Sequence, residues 1–360
     1  MAPPNAALPV IDLTKPDSQN AKEITAGAIE WGFVYIRSKG LGFDKAYLNS
    51  AFDLARKFFD TPYDEKADVA CGKDYNPGGS GWSGPGREVL DPERQKRGDY
   101  KEGMTFNEFP GGKPGQKIPA ALDNTDDKAA LIDFHAKFRS VCIKILELFA
   151  IGLEIPEEEG GKNWFATRHD PAKGTSGSNL RFCYYPTFSD EQAKNFDPVA
   201  TRASSHTDFG TITILFQLPG QPGLEVLNPD NEWEPVAVFP PGTEEDEFPP
   251  IVMNIGDLLS YWTEGVMKST VHRVSIDPYT NRDRYSIVYF SHPVGSTELV
   301  TVPSPLVRQV LQDKGPVKRA RTAKEHVLGR LDDVFGAAHK RLGKPMEKPM
   351  ETVQSTAIAV

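Results

Sequence analysis

The chain has 360 residues, a formal net charge of −9 at pH 7 and 39% hydrophobic residues, enough apolar material for the core of a soluble globular protein. The acidic balance, with no basic cluster, argues against the phosphate-neutralising stripe that nucleic-acid binding requires. No stretch reaches the roughly 18 apolar residues of a membrane span, and Met1-Ala2-Pro3-Pro4-Asn5 lacks a basic region before an apolar run; with Cys71, Cys142 and Cys183 odd in number and far apart, a cytoplasmic protein with free thiols is expected.

Leu8-Pro9-Val10-Ile11-Asp12 opens the chain as a short apolar run ended by a turn. Apolar spacing at Ile24, Ala28 and Ile29 predicts a helix over 21–31, which Gly32 stops before a strand at Phe33-Val34-Tyr35-Ile36. Tyr47, Phe52, Leu54, Ala55 and Phe58 predict a second helix over 43–59, with Pro62 beyond its end. From Gly72 to Gly86 the composition shifts to Gly, Pro, Ser and Asn around Tyr75 and Trp82, with Arg87 next. A loop over a site and a plain surface loop both fit that stretch. A polar linker, 111–127, leads to the longest helical pattern, 129–153, where Leu131, Phe134, Phe138, Val141, Ile145, Leu148 and Phe149 form a packing stripe.

Residues 178–186 read as a strand whose alternate members Asn179, Arg181, Cys183 and Tyr185 share a face. An arginine there needs a carboxylate partner, because an unpaired buried charge costs several kcal/mol. Arg181 is therefore expected to join a scaffold ion pair. Next comes His206-Thr207-Asp208, weak as a tripeptide but followed by Gly210 and the strand-like Thr211-Ile212-Thr213-Ile214-Leu215-Phe216-Gln217. The motif is expected to open that strand, with His206 and Asp208 on one face. A turn at Gln221-Pro222-Gly223, strand residues 224–227 and a turn at 228–231 predict a hairpin following directly from the motif strand. Residues 251–257 return as a strand, and 269–275 as another in which Thr270, His272 and Val274 share a face. Two imidazoles and a carboxylate on one side of a metal, with three positions open, form the facial triad of non-haem Fe(II) oxygenases. Arg284 and Ser286 lie at i and i+2 of a last strand, a planar fork and a hydroxyl suited to holding an acid. Val327, Leu328, Leu331 and Phe335 predict a helix over 323–338; His326 and His339 are expected on its surface or face.

His-x-Asp, His and Arg-x-Ser in this order resemble the 2-oxoglutarate and Fe(II)-dependent dioxygenases, in their isopenicillin N synthase-like branch. The N-terminal Pro9-Val10-Ile11-Asp12, Gly32-Phe33 and Phe58-Phe59, and the re-entry at 99–103, are similar to the same family. The resemblance implies a mixed α and β, mainly β fold: a double-stranded β-helix (jelly-roll) core with flanking helices. One compact domain is expected, made of an N-terminal region (1–110), a linker and supporting helix (111–177), a catalytic core (178–300), a C-terminal helical region (301–343) and a flexible tail (344–360). It further implies Fe(II) on His206, Asp208 and His272, 2-oxoglutarate as co-substrate with its distal carboxylate on Arg284 and Ser286, and Tyr185 in contact with the co-substrate or the substrate. Oxygen and a small organic metabolite complete the reaction, which releases succinate and CO2. The pocket would include Arg181, Arg87, Tyr100, Phe106 and Phe290. The interval from His272 to Arg284 is about two residues longer than the family pattern, with Pro278-Tyr279-Thr280-Asn281 as the extra turn. An oxidase of the isopenicillin N synthase type that uses no 2-oxoglutarate is an alternative, separable by succinate release. A catalytically silent jelly-roll binding protein is another, separable by iron content; a zinc hydrolase would lack a general base beside the motif.

Overall fold

The computed structural model describes residues 4–71, 79–91, 95, 98–187, 202–275, 282–314 and 322–331. The chain opens with β1 (Val10–Ile11), α1 (Asp17–Glu30), β2 (Phe33–Ile36), α2 (Lys45–Phe59) and α3 (Tyr63–Ala67), then β3 (Gly81–Ser83), β4 (Glu102–Asn107) and α4 (Thr125–Gly152). Next come β5 (Asn179–Tyr185), β6 (Ala203–His206), β7 (Ile212–Gln217), β8 (Leu224–Leu227), β9 (Trp233–Pro235) and β10 (Ile251–Ile255). The last elements are α5 (Asp257–Trp262), β11 (His272–Val274), β12 (Arg284–Ser291), α6 (Pro305–Lys314) and α7 (Ala323–Leu331). Eight strands form a major sheet in the order β1-β2-β10-β7-β12-β5-β4-β3, and four form a minor sheet in the order β6-β11-β8-β9. This is the jelly roll with flanking helices that the resemblance implies.

Alternation along the central strands decides which layer each side chain joins. Leu180 and Phe182 of β5, Ile212, Ile214 and Phe216 of β7, and Ile287 and Tyr289 of β12 belong to the core shared with the helices. Phe216 stacks on Phe138 of α4, ring centroids 4.4 Å apart. Such burial stabilises by about 1.5–3 kcal/mol per large apolar side chain, so Phe138→Ala would cost several times a surface change. The opposite faces carry Cys183, Tyr185, Val288 and Phe290, which meet Ala203 and Val274 of the minor sheet. That smaller cluster lies between the two sheets.

Several boundaries differ from the sequence pattern for local reasons. α4 starts at Thr125 because the Asn124 side chain accepts from the Asp127 amide at 3.0 Å, a polar cap that apolar spacing cannot register. α1 likewise begins at Asp17, one polar turn before its apolar stripe. The strand expected over 269–275 is only three residues long. β8 forms the expected hairpin with β9, while β7 pairs with β10 and β12, so the turn between β7 and β8 crosses between sheets. α6 has no counterpart in the apolar spacing. The cysteines are free and buried, as expected. The extra turn at 278–281, His339, the end of the 323–338 helix and the tail 344–360 lie outside the described residues.

Candidate metal and co-substrate site

His206 is the last residue of β6 in the minor sheet, and Asp208 lies past its end, before β7 of the major sheet. The two therefore do not share a strand face, as alternation predicted; the chain brings them together by changing sheets. Gly210 permits this crossing, since a Cβ there would sit 2.5 Å from the Ser291 carbonyl oxygen. His272 of β11 pairs with His206 across the minor sheet, ring centroids 4.4 Å apart. Asp208 Oδ1 lies 3.8 Å from His206 Nε2 and 3.7 Å from His272 Nε2.

The imidazoles are oriented from behind. Nδ1 of His206 donates to the Ser204 carbonyl at 2.7 Å and Nδ1 of His272 to the Thr270 carbonyl at 3.1 Å, which leaves both Nε2 lone pairs facing Asp208. Asp208 Oδ2 accepts from Thr213 Oγ1 at 2.6 Å and Asn254 Nδ2 at 2.7 Å, leaving Oδ1 for the imidazoles. Burial, then the neighbouring His272, depress the pKa of His206 to about 3. Burial opposes ionisation of Asp208, but the two imidazoles and the two hydrogen bonds outweigh it and keep the carboxyl below its usual range. Two imidazoles and one carboxylate, with no thiolate, are a donor set that fits Fe(II).

Arg284 lies on the interior face of β12 and is only 2% exposed. Its contacts are long: Ser286 Oγ at 3.4 Å, Gln217 Oε1 at 3.3 Å and the face of the Tyr185 ring with its centroid 4.9 Å away. No carboxylate pairs with it among the described residues, and its Nε and the nearby Gln217 Nε2 have no hydrogen-bond partner. Arg202 stands close enough that the charge of Arg284, after burial, depresses its pKa. A buried cation beside a second cation, held only by long contacts, fits an acid bound between β12, β5 and β7.

The chain matches the non-haem dioxygenase N-terminal model (described for morphine synthesis) over residues 8–125 and the 2OG-Fe(II) oxygenase superfamily model over 176–293. It is 32% identical to UPF0676 protein C1494.01 of Schizosaccharomyces pombe over 91% of this chain and 93% of that protein. To the proline hydroxylase buaE of Petromyces alliaceus it is 30% identical, covering 78% of this chain and 83% of the relative. This chain belongs to the 2OG-Fe(II) oxygenase superfamily. The solved structure of a full-length Neurospora crassa protein in complex with alpha-KG superposes with a TM-score of 0.72 at 26% identity, covering 90% of the oxygenase and 95% of the Neurospora chain. The same Neurospora protein has also been solved with alpha-KG and thymine, at a TM-score of 0.71, 25% identity and 91% and 96% coverage. The oxygenase is accordingly a dioxygenase that uses Fe(II), 2-oxoglutarate and O2 to oxidise a small organic molecule.

Beside the triad the oxygenase carries a buried charge cluster that spacing does not reveal. Glu88 pairs with Arg181 and, at 3.1 Å, with Lys101, and accepts from Ser83 Oγ at 2.6 Å. Lys101 also reaches Asp99 at 2.9 Å. Burial alone would discharge Lys101, but Asp99 and Glu88 outweigh it and hold the ammonium above its usual range. Asp99 Oδ1 accepts from the amide and hydroxyl of Ser204 at 3.1 and 2.9 Å, and Ser204 is the residue whose carbonyl orients His206. The Arg181 guanidinium lies on the Gly103 backbone, where a Cβ would come within 2.3 Å of Nη2. Arg181 is thus an ion-pair member on the interior face of β5, which is the scaffold reading of its strand position.

The other pocket candidates divide. Phe290 is on the interior face with the apolar cluster, and Tyr100 is half-buried beside Asp99. Phe106 is a correction: it faces the helical core, 5.3 Å from the Phe182 ring, because β4 registers Phe106 against Leu180 and turns Gly103 and Thr105 inward. Arg87 is exposed after the Gly84 turn. Thr213 and Gln217 could have been found as the polar alternates of a strand that is otherwise apolar. Asn254 and Glu88 had no comparable sign.

Proposed function

We propose that His206, Asp208 and His272 hold the iron of this oxygenase, and that Arg284, with Ser286 and Tyr185, receives the distal carboxylate of 2-oxoglutarate. The observation that carries this assignment is the buried Arg284 guanidinium, unpaired with any carboxylate among the described residues, on the sheet face that the triad adjoins. When bound, the metal and co-substrate supply C–H oxidation coupled to release of succinate and CO2. The protein's own part is positional. Backbone carbonyls fix the imidazoles, Asn254 and Thr213 fix Asp208, and Val288, Phe290 and Val274 keep water from the space between the sheets.

The substrate proposed is a small polar metabolite, because the charged Arg181–Glu88–Lys101 cluster borders the interior face while Phe290 offers an apolar surface. The Neurospora protein's complex with thymine supports that size and polarity. A cytoplasmic location is proposed with it; no described helix is long and apolar enough to cross a membrane. The test is an anaerobic titration of the Fe(II) protein with 2-oxoglutarate, followed by oxygen uptake and succinate release on a panel of nucleobases, amino acids and aromatic acids. A saturable visible charge-transfer band is expected. Its absence, with oxygen uptake triggered by a panel compound alone, would overturn the co-substrate assignment.

A further inference from the structure

The corner between β10 and α5 touches both limbs that carry the triad. Asp257, the first residue of α5, donates its amide to the Asp208 carbonyl at 2.6 Å. Its carboxylate accepts from Thr207, the residue between His206 and Asp208, at 3.0 Å on Oδ2, and from Ser269, three residues before His272, at 2.7 Å on Oδ1. The flanking amides repeat the grip: Gly256 donates to the Thr211 carbonyl at 2.9 Å and Leu258 to that of Gly210 at 3.1 Å. Gly256 has no room for a side chain, since a Cβ would meet the Gly210 carbonyl oxygen at 2.2 Å. One carboxylate thus ties the 206–208 limb to the 269–272 limb.

The cation on that carboxylate comes from far along the chain. Arg330 of α7 places Nε 2.9 Å and Nη2 2.8 Å from Asp257 Oδ2. α7 is seated a turn earlier by His326, whose ring lies against Tyr261 of α5 with centroids 4.5 Å apart. The Asp257 side chain is largely buried, and Arg330 is the outer, partly exposed member of the pair.

We infer that Asp257 and Arg330 are positioning residues for the metal: the C-terminal helix α7 latches, through Asp257, the two limbs that present His206, Asp208 and His272. The inference rests on the triad assignment above. Without Arg330, the Asp257 carboxylate keeps two neutral donors and loses its counter-charge, so the limbs relax apart and the three ligands lose their common focus. By reciprocity, an ion bound at the triad holds the limbs in register and so favours the docked α7.

Co(II), a spectroscopic stand-in for Fe(II), provides a readout independent of turnover. It would be titrated anaerobically into wild type and into Arg330→Met, Arg330→Lys, Asp257→Asn and Arg308→Met, the last removing an ion pair with Glu159 that does not reach Asp257. Residues that support metal ligands from behind typically contribute ten- to a hundredfold in affinity. Arg330→Met is therefore expected to weaken Co(II) about tenfold, Arg330→Lys to recover part of the loss, Asp257→Asn to weaken it at least as much as Arg330→Met, and Arg308→Met to match wild type. Hydrogen exchange of the α7 amides should slow on adding Co(II) in wild type and not in Arg330→Met. A lowered melting temperature with Co(II) affinity within twofold of wild type would make Arg330 ordinary scaffold and overturn the inference. So would α7 exchange that ignores the metal in wild type. Failure of wild type itself to bind Co(II) would remove the triad assignment and the latch together.

Discussion

Replacing Arg284 by Met separates a buried cation kept for a ligand from one kept for the scaffold. The guanidinium is 2% exposed and reaches Ser286 and Gln217 at 3.3–3.4 Å, so its neighbours compensate little of its lost hydration. An uncompensated buried ion costs several kcal/mol even after relaxation. Methionine, of similar length and no charge, should therefore leave the ligand-free protein as stable as wild type or more so. A charge-assisted hydrogen bond contributes about 1.5–3 kcal/mol net, and a bidentate pair about twice that, so 2-oxoglutarate should bind at least about a hundredfold more weakly. The assay is thermal unfolding of the anaerobic Mn(II) protein with and without 2-oxoglutarate. At a hundred times its dissociation constant the co-substrate stabilises wild type by about 2.7 kcal/mol, and at the same concentration the variant should gain under about 0.5 kcal/mol. A variant that unfolds several degrees earlier without ligand, or gains as much from 2-oxoglutarate as wild type, would refute the argument; in the latter case Arg202 or Arg282 is the next residue to test.

Asp208→Ala removes the one anionic donor and should abolish tight Fe(II) binding while leaving the fold intact, measured by anaerobic metal titration; unchanged affinity would show that the triad is misassigned. Arg181→Leu should alter KM for the substrate without changing iron content, and should cost no more than about 3 kcal/mol because Glu88 retains Lys101 and Ser83; a collapse of the fold would assign Arg181 to the scaffold alone. Burial depresses His135 and His169 from 6.5 to about 4, so the unfolded chain binds more protons between those values and stability falls as pH drops through that window. Each ring should remove up to about 3 kcal/mol, and denaturant unfolding of His169→Gln should show a shallower fall between pH 6.5 and 4 than wild type.

What can be read from sequence follows from whether one residue's neighbours along the chain report its surroundings. The strands containing Arg181, His272 and Arg284 announce their inward faces through alternation, and the three do line one interior. The His206–Asp208 motif points to the right residues for a partly wrong reason: the two converge because the chain leaves one sheet for the other, and no periodicity within seven residues encodes a sheet change. Phe106 misleads because an aromatic near a site looks like a pocket wall; which face of β4 turns inward is set by its register with β5. Glu88, Asp99 and Asp257 depend on Arg181, Ser204 and Arg330, which lie 93, 105 and 73 residues away, and such pairings leave no trace in local composition.

The wiring from Asp99 through Ser204 to His206 bears on any attempt to re-engineer this enzyme by exchanging parts with a relative. The stretch from Ser83 to Lys101 looks like a detachable module, since its Glu88, Asp99 and Lys101 adjoin the proposed substrate space and none of the triad belongs to it. Transplanting it would nonetheless delete the carboxylate that holds the Ser204 amide and hydroxyl, and so would turn an imidazole on a different strand. A chimera with a foreign 83–101 segment must therefore bring its own residue 204 as a matched pair, or it will trade substrate preference against grip on iron.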